Sequence, residues 1–454
     1  MDNGIGMKTF LKCSIVFLFS LIILLVFGME INSYDAIWNY GFSYSISRGQ
    51  IPYRDFTMII PPLYNFIMSI GLIVFSHDNL VFLIEQSLLI SLTFYFIYKM
   101  YEEKAWLFLV AMSFPLFYNF APSYNYFLFF LVVVLIYCEK FKKSDYLIGT
   151  ILAFMLLTKY TAAIFLILPS LISCFNDKNK LLKRLSGMLV PCFIFLIYLI
   201  INKALYQFFD LCFLGLFDFA KKNTELFTTA FFVSLVLFLV SIYLLIKDKN
   251  NIVRWLVVLS YFIIFPNVSD NHLYTYILFF SLNFISSDFI LPKLYIYKFT
   301  FIAIFVLMIG FCLITSFKVF KVIPYRLHNF KFYLNTPIES KNVRERVKLY
   351  SFYEDKGETY FLSSSAIWVQ IINEENTDYF TILNKGNYGY NGTSKMIDKI
   401  KHMHDVYFII DLHEYNVVLD GLYMSQFDVE IIDYVIEKGE KIDSVNKYEV
   451  YYMK

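Results

Sequence analysis

The sequence predicts a polytopic α-helical membrane protein that ends in a small α/β domain. Hydrophobic residues make up 58% of the 454 residues and charged residues only 17%, whereas soluble domains usually carry about 25% charged residues. The mean hydropathy is +0.58, and this much apolar surface requires lipid to cover it. Apolar runs stop near Val319, after which Asp, Glu, Lys and Asn occur throughout. We therefore expect a transmembrane domain over residues 1–318 and a second domain over residues 319–454.

The net charge and the cysteine pattern argue against nucleic-acid binding, a disulfide framework and a zinc site. The net charge is +2, and without a long basic stripe we expect no nucleic-acid partner. The six cysteines include no CxxC motif, and none lies in the polar part of the chain after Val319, so we expect neither a disulfide framework nor a zinc site. Lys8 and Lys12 precede an apolar run that ends before Gly28-Met29-Glu30, a poor cleavage site. We predict an uncleaved first span rather than a signal peptide.

Twelve apolar runs are candidate spans, and the charges between them predict the topology. The runs lie near 10–29, 60–76, 80–98, 105–120, 122–138, 146–158, 160–175, 184–202, 225–246, 252–266, 272–288 and 298–316. Lys and Arg concentrate in cytoplasmic loops, yet strict alternation from a cytoplasmic N-terminus would place the basic loop at Lys140–Lys143 outside. One early run should therefore not cross. We choose 60–76, which opens with Pro61-Pro62, as an interfacial or re-entrant helix on the outer side.

This choice gives about eleven crossings in a cell membrane, with the N-terminus cytoplasmic and the C-terminal domain extracytoplasmic. Residues 30–79 then form a long first external loop. Residues 203–224 mix aromatic and charged side chains and predict a second external segment, an amphipathic interfacial helix.

The C-terminal part predicts alternating strands and helices. We predict strands over 357–365, 378–384, 405–412 and 447–453, and helices over 366–375, 396–403 and 424–439. The glycine-rich loop KGNYGYNG at 385–392 lacks the GxGxxG spacing. With no helix expected directly after it, we assign it no nucleotide binding.

The predicted external loop carries the polar residues that are the clearest candidates for catalysis. Asp35 lies a few residues beyond the first span, and Arg54 and Asp55 follow in the same loop. A carboxylate held near apolar surface can act as a base. The alternative is an interfacial loop whose charges simply face water.

Residues 30–64 resemble the first external loop of GT-C glycosyltransferases, membrane enzymes that use polyprenyl-phosphate sugars, such as the protein O-mannosyltransferases and the aminoarabinose transferases. The matching elements are Asp35, the segment GQIPY at 49–53, Asp55, and Pro61-Pro62-Leu63. The family more often has an acidic pair where this chain has Tyr34-Asp35. The resemblance covers residues 10–175 well and residues 176–316 only in general layout. It implies an inverting transfer from a polyprenyl-phosphate sugar to an envelope glycan, teichoic acid or glycolipid, with Asp35 as general base.

The resemblance also implies substrate-binding residues. Lys159, in LTKYT at 157–161, resembles the family's S/T-K element and would pair with the donor phosphate, unless it snorkels at a helix end. His272 would bond a phosphate or hydroxyl, or be structural. Further candidates, at the same outer side, are Tyr124, Asn125, Glu85, Arg54 and Asp55. In the loop at Tyr124 many relatives have an acid that this chain lacks. A divalent cation stays open, and we predict no metal ligand.

Two other functions fit a polytopic chain. A flippase for lipid-linked glycans would place ionisable residues along the middle of several spans, whereas the polar candidates here cluster near one side. The second of these alternatives is a non-catalytic membrane protein that binds envelope polymers. The sequence does not identify the sugar, the prenol length or the acceptor.

Overall fold

The computed structural model describes residues 2–27, 34–75, 79–117, 122–222, 229–264, 270–286, 341–363, 366–373, 375–380, 383–419 and 428–454. The run predicted at 298–316 and the domain boundary predicted near residue 318 lie outside these residues. The described chain is mostly helical and carries one small sheet near its C-terminus.

Helices account for most of the first 285 residues. They are α1 Asp2–Phe27, α2 Tyr34–Ser47, α3 Leu63–Val74, α4 Asn79–Tyr101, α5 Trp106–Phe117, α6 Tyr124–Lys140, α7 Asp145–Leu166, α8 Leu168–Ser173, α9 Lys178–Ile201, α10 Leu205–Phe209, α11 Gly215–Lys222, α12 Thr229–Lys247, α13 Ile252–Leu259 and α14 Asp270–Ile285. Turns of 3-10 helix follow α4 and α13, and a π-helical turn, Asp210–Leu214, joins α10 to α11.

Among the described residues, five helical stretches are long and apolar enough to cross a bilayer. They are Met7–Leu25, Asn79–Ser113, Asp145–Leu166, Lys178–Ile201 and Thr229–Lys247. Shorter apolar helices lie at Leu63–Val74, Ile252–Ile264 and His272–Ile285. These helices are compatible with the predicted polytopic membrane protein.

Helix α3 covers most of the run that we expect not to cross. It has 12 residues, whereas a full span needs about 20. Pro62 precedes its first residue, a position where the missing N–H costs no helical hydrogen bond. Ile70 and Ile73 are more than half exposed, so one side of this short helix presents apolar surface.

The runs predicted at 146–158 and 160–175 are not separated by a loop. They form α7, which kinks at Lys159 (φ −155°, ψ 85°), followed by the short α8. The kink replaces the turn that we predict between two runs. It falls on Lys159, a candidate site residue.

The backbones of helices α7 and α9 approach closely at Gly149 and Gly187. A Cβ on Gly149 would lie 2.0 Å from the Arg184 carbonyl oxygen, and one on Gly187 would lie 2.2 Å from that of Tyr146. Small residues allow such close backbone approach between membrane helices. The buried Arg184 guanidinium bonds Glu139 Oε1 at 2.6 Å and Asp145 Oδ1 at 2.9 Å. This network ties α6, α7 and α9 together beside the predicted cytoplasmic loops.

The chain divides into two compact units. One comprises Met1–Ala36, Pro62–Ile194 and Glu225–Pro337, and the other comprises Ile37–Pro61, Phe195–Thr224 and Ile338–Lys454. Residues 37–61, which are half of the predicted external loop 30–79, and the whole segment 203–224 therefore fold in the same unit as the C-terminal domain.

The C-terminal domain has helices on both faces of a four-stranded sheet. Its strands are β1 Thr359–Leu362, β2 Val406–Asp411, β3 Glu440–Val445 and β4 Tyr448–Met453, in the order β1-β2-β4-β3. Strands β1 and β2 are parallel, and the other two pairings are antiparallel. The helices are α15 Lys341–Glu354, α16 Ile367–Ile372, α17 Gly392–Lys401, α18 Leu412–Leu419 and α19 Val429–Lys438.

Alternate residues of β2 face the two layers of helices. Phe408 and Ile410 pack with residues of α17 and α19, and Ile409 packs with α15 and α16. This arrangement confirms the predicted α/β class. The strand predicted over 378–384 is wrong for the residues described there, which form turns and extended loop. Strand β3 was not predicted, because this edge strand is exposed along its length and lacks apolar alternation.

Candidate functional site

Four of the predicted substrate-binding residues come together inside the first unit. Lys159 Nζ donates to Asn125 Oδ1 at 2.7 Å and lies 3.3 Å from His272 Nε2. The ammonium also lies 3.4 Å from the Ile263 carbonyl oxygen and 5.5 Å from the centre of the Tyr124 ring. Lys159 is only 6% exposed. The structure thus assembles one site, the Lys159 cluster (Tyr124, Asn125, Lys159, His272 and the Ile263 carbonyl), from four separate segments.

Local structure positions each member of the Lys159 cluster. Ser123 caps α6 by accepting a hydrogen bond from the Asn125 backbone N–H at 3.3 Å, so Tyr124 and Asn125 occupy the first turn of that helix. His272 lies in the first turn of α14, and Ile263 lies in the 3-10 turn after α13. Lys159 is at the kink of α7. Three helix ends and one kink therefore converge.

The Lys159 cluster is suited to binding an oxyanion. Asn125 is fully buried, and its Nδ2 has no hydrogen-bond partner among the described residues. Its Oδ1 is directed to the Lys159 ammonium, which leaves the amide donors for another acceptor. An unpaired buried donor costs free energy. An ammonium beside an unpaired amide donor is a combination that a phosphate oxygen would satisfy.

Arg54 and Asp55 lie in the second unit, in a tight turn. Gly49 (φ 86°) and Tyr53 (φ 71°) both adopt left-handed backbone, which explains the glycine at the start of the family-like GQIPY segment. Arg54 Nε donates to Asp55 Oδ1 at 2.7 Å, and the Ile51 N–H donates to Asp55 Oδ2 at 2.7 Å. Burial acts to raise the pKa of Asp55, but these hydrogen bonds outweigh it and leave that pKa below its ordinary value. The lowered pKa keeps the Asp55 carboxyl ionised and makes it a poor acceptor of a proton.

The C-terminal domain holds this turn through residues that the sequence did not suggest. Gln50 Nε2 donates to the Thr377 carbonyl at 2.7 Å, and the Thr377 N–H donates back to Gln50 Oε1 at 3.1 Å. The Tyr379 hydroxyl lies 2.7 Å from the Tyr53 carbonyl oxygen and 2.8 Å from that of Arg54. No local pattern marks Thr377 or Tyr379, because their partners are more than 300 residues away.

The structure describes the side chain of Glu85 but only the backbone of Asp35. Asp35 lies in the first turn of α2, and its side chain lies outside the described residues. Glu85 Oε1 accepts a hydrogen bond from the Gly71 N–H at 2.9 Å. This contact pins α3 to α4, so Glu85 has a structural partner in addition to the substrate-binding role predicted for it.

Comparisons with protein-family models, with curated proteins and with solved structures give no match for this chain. Among the described residues, no three His, Cys, Asp or Glu side chains are grouped so that they could hold a metal ion.

Proposed function

We propose that this protein is a membrane glycosyltransferase that moves a sugar from a polyprenyl phosphate to a cell-envelope acceptor. The observation that carries the proposal is the convergence of Lys159, Asn125 and His272, at 2.7 Å and 3.3 Å from the ammonium. The sequence suggests Lys159 as a partner of the donor phosphate, His272 as a partner of a phosphate or hydroxyl, and Asn125 as a further substrate-binding residue. A buried cation within membrane helices is a functional hypothesis by default, because its desolvation is costly.

In the proposed reaction the acceptor hydroxyl oxygen attacks the anomeric carbon of the sugar. The bond between that carbon and the lipid phosphate oxygen breaks, and its electron pair leaves with the phosphate. The acceptor proton passes to Asp35, and the anomeric configuration inverts in a single displacement. Lys159, the Asn125 amide and His272 stabilise the charge that develops on the leaving phosphate.

The turn that contains Arg54 and Asp55 has a supporting role in this scheme. Asp55 stays ionised beside Arg54, and the role proposed for it is to orient the acceptor. Arg54, whose side chain is 44% exposed, is the second substrate-binding residue proposed in this turn.

The proposal includes a topology of about eleven crossings, with a cytoplasmic N-terminus and an extracytoplasmic C-terminal domain. Helix α3 would lie at the outer surface, and its length of 12 residues supports this. The donor and acceptor would then meet on the outer side of a cell membrane.

The test uses full-length protein reconstituted with a panel of radiolabelled polyprenyl-phosphate sugars and envelope acceptors. Asp35→Asn should abolish transfer while donor binding is retained, and Lys159→Met should weaken donor binding itself. Asp248→Asn, in the predicted cytoplasmic loop after α12, is the matched control for loss of a carboxylate. Wild-type turnover by Asp35→Asn would refute the assignment. Movement of an intact lipid-linked glycan across the bilayer without transfer would instead indicate a flippase.

A further inference from the structure

The segment between α9 and α12 has two chemically different faces. The sequence predicts an interfacial helix over 203–224, and the structure forms α10, the π-helical turn and α11 there. Tyr206 is 72% exposed, Phe209 49% and Phe217 64%, and Phe213 and Leu214 add to the same apolar surface. A row of exposed aromatic side chains is unusual on a surface that faces only water.

The other face of this segment packs within the second unit. Asp210 and Cys212 are buried. The ring of Phe208 meets that of Tyr53 edge-on, with centroids 5.2 Å apart, and Cys212 Sγ lies 3.8 Å from the Met58 carbonyl oxygen. The segment therefore supports the external turn that carries Arg54 and Asp55.

Two carboxylates of this segment bind the glycine-rich loop of the C-terminal domain. The Tyr390 N–H donates to Asp210 Oδ1 at 3.1 Å, and the Asn391 N–H donates to Asp218 Oδ2 at 2.6 Å. Lys395 Nζ bonds Asp210 Oδ2 at 2.6 Å. Contrary to the sequence-based expectation, a helix does follow the loop directly, since α17 begins at Gly392. The positive end of that helix favours the two carboxylates.

Gly389 and Gly215 lie where the loop and the segment approach so closely that a side chain would clash. Gly389 has φ 84°, and a Cβ there would lie 2.2 Å from Asp210 Oδ2. A Cβ on Gly215 would lie 2.9 Å from the Gly389 Cα. The loop is therefore shaped to receive this segment, although its spacing excludes the nucleotide fingerprint.

We propose that residues 205–222 form a membrane-surface strap, which binds lipid through its aromatic face and the C-terminal domain through Asp210 and Asp218. Helix α9, a candidate span, ends at Ile201, and α10 begins at Leu205. Ile200 and Ile201 are exposed, so the apolar surface of the span continues into the aromatic face with only a short turn between them. The occupant of that face is the boundary between headgroups and acyl chains, where aromatic residues are enriched.

The aspartate contacts are tested by hydrogen–deuterium exchange of the full-length protein in lipid nanodiscs. The double variant Asp210→Asn/Asp218→Asn should increase backbone exchange in residues 205–222 and 385–392 by about tenfold, because charge-assisted hydrogen bonds are lost. Strand β2 should keep its protection. Asp398→Asn, which removes an exposed carboxylate from α17, is the control and should change neither region. Unchanged exchange in the double variant would overturn the role of the aspartates.

The lipid contact is tested with benzoylphenylalanine incorporated at Phe217 and, as a control, at Phe352, which is 53% exposed on α15. Irradiation in nanodiscs should give phospholipid adducts at position 217 and few at position 352. Equal adducts at both positions, or adducts to protein alone at position 217, would overturn the lipid contact. Neither experiment depends on sugar transfer, so the strap and the enzymatic activity can fail separately.

Discussion

Lys159 Nζ lies 3.3 Å from His272 Nε2, although 113 residues separate them in the chain. The tautomer of His272 that carries its proton on Nδ1 has a lone pair on Nε2, which can accept a hydrogen bond from the ammonium. Both side chains are buried, at 6% and 7% exposure. A lysine that snorkels would extend towards water, whereas this one is enclosed by polar groups from three other segments. The pair is therefore part of a built polar site.

Removal of the Lys159 charge should weaken binding of a polyprenyl phosphate. Lys159→Met keeps side-chain length and apolar volume but loses the ammonium. Loss of a hydrogen bond to a charged group costs about 1.5–3 kcal/mol, which corresponds to a roughly 10- to 100-fold higher Kd. The measurement is a titration of the detergent-solubilised protein with an undecorated polyprenyl phosphate. Lys180→Met, at a lysine whose side chain is 58% exposed, should leave the Kd unchanged, and equal affinities of both variants would contradict the site.

Asn125→Asp separates a binding role from a structural one. The new carboxylate would form an ion pair with Lys159, so the variant should unfold at the same temperature or higher. The same carboxylate would repel a phosphate and remove the unpaired amide donor. We expect polyprenyl-phosphate binding to fall by about tenfold or more. Thermal unfolding and Kd are measured on the same preparation, and a stable variant with normal affinity would argue that the Lys159 cluster only holds helices together.

The sequence suggested residues of the Lys159 cluster one by one, and the structure brings four of them together. Lys159 and Asn125 were suggested by the resemblance to GT-C glycosyltransferases, and His272 by its place at the start of a late apolar run. The kink at Lys159 was not predicted, since no proline or glycine marks it. The Ile263 carbonyl could not be predicted at all, because any residue type supplies a backbone oxygen.

In the C-terminal domain, strands were predicted correctly where buried positions carry apolar residues. Strands β1, β2 and β4 carry buried apolar residues, and each was predicted. Residues 378–384 were predicted as a strand because of their aromatic and β-branched residues, but Tyr379 bonds the carbonyl oxygens of Tyr53 and Arg54 instead. Long-range hydrogen bonds of this kind leave no local pattern.

Tyr379→Phe should loosen the turn that carries Arg54 and Asp55. The substitution removes a hydroxyl that bonds the carbonyls of that turn at 2.7 and 2.8 Å. Loss of one such hydrogen bond costs about 1 kcal/mol, or about fivefold faster exchange of backbone amides 50–56. Hydrogen–deuterium exchange measures it. Tyr360→Phe, which removes a hydroxyl bonded to the exposed Glu358, is the control, and equal exchange in both variants would contradict the contact.

Stability of the C-terminal domain should fall as the pH rises through the titration of Glu375. Burial, with a contribution from Glu354, raises the pKa of Glu375 from 4.5 to about 7, so the folded state favours the protonated carboxyl that lies 2.7 Å from the Tyr350 hydroxyl. The stabilisation is complete below pH 4.5 and is lost towards pH 7, by at most about 1.4 kcal/mol per pH unit and less with partial solvent screening.

Glu375→Gln keeps an acceptor for Tyr350 but cannot ionise, so it should make the domain more stable than wild type at pH 8 and equally stable near pH 4.5. Burial also raises the pKa of Asp428 to about 6, so a smaller slope of the same sign should remain in the variant. Hydrogen–deuterium exchange of strands β1 and β2 between pH 4.5 and 8, corrected for intrinsic exchange rates, measures both effects. Glu437→Gln, at a side chain that is 70% exposed, should retain the wild-type slope. A Glu375→Gln profile parallel to wild type would show that Glu375 titrates normally in the folded protein.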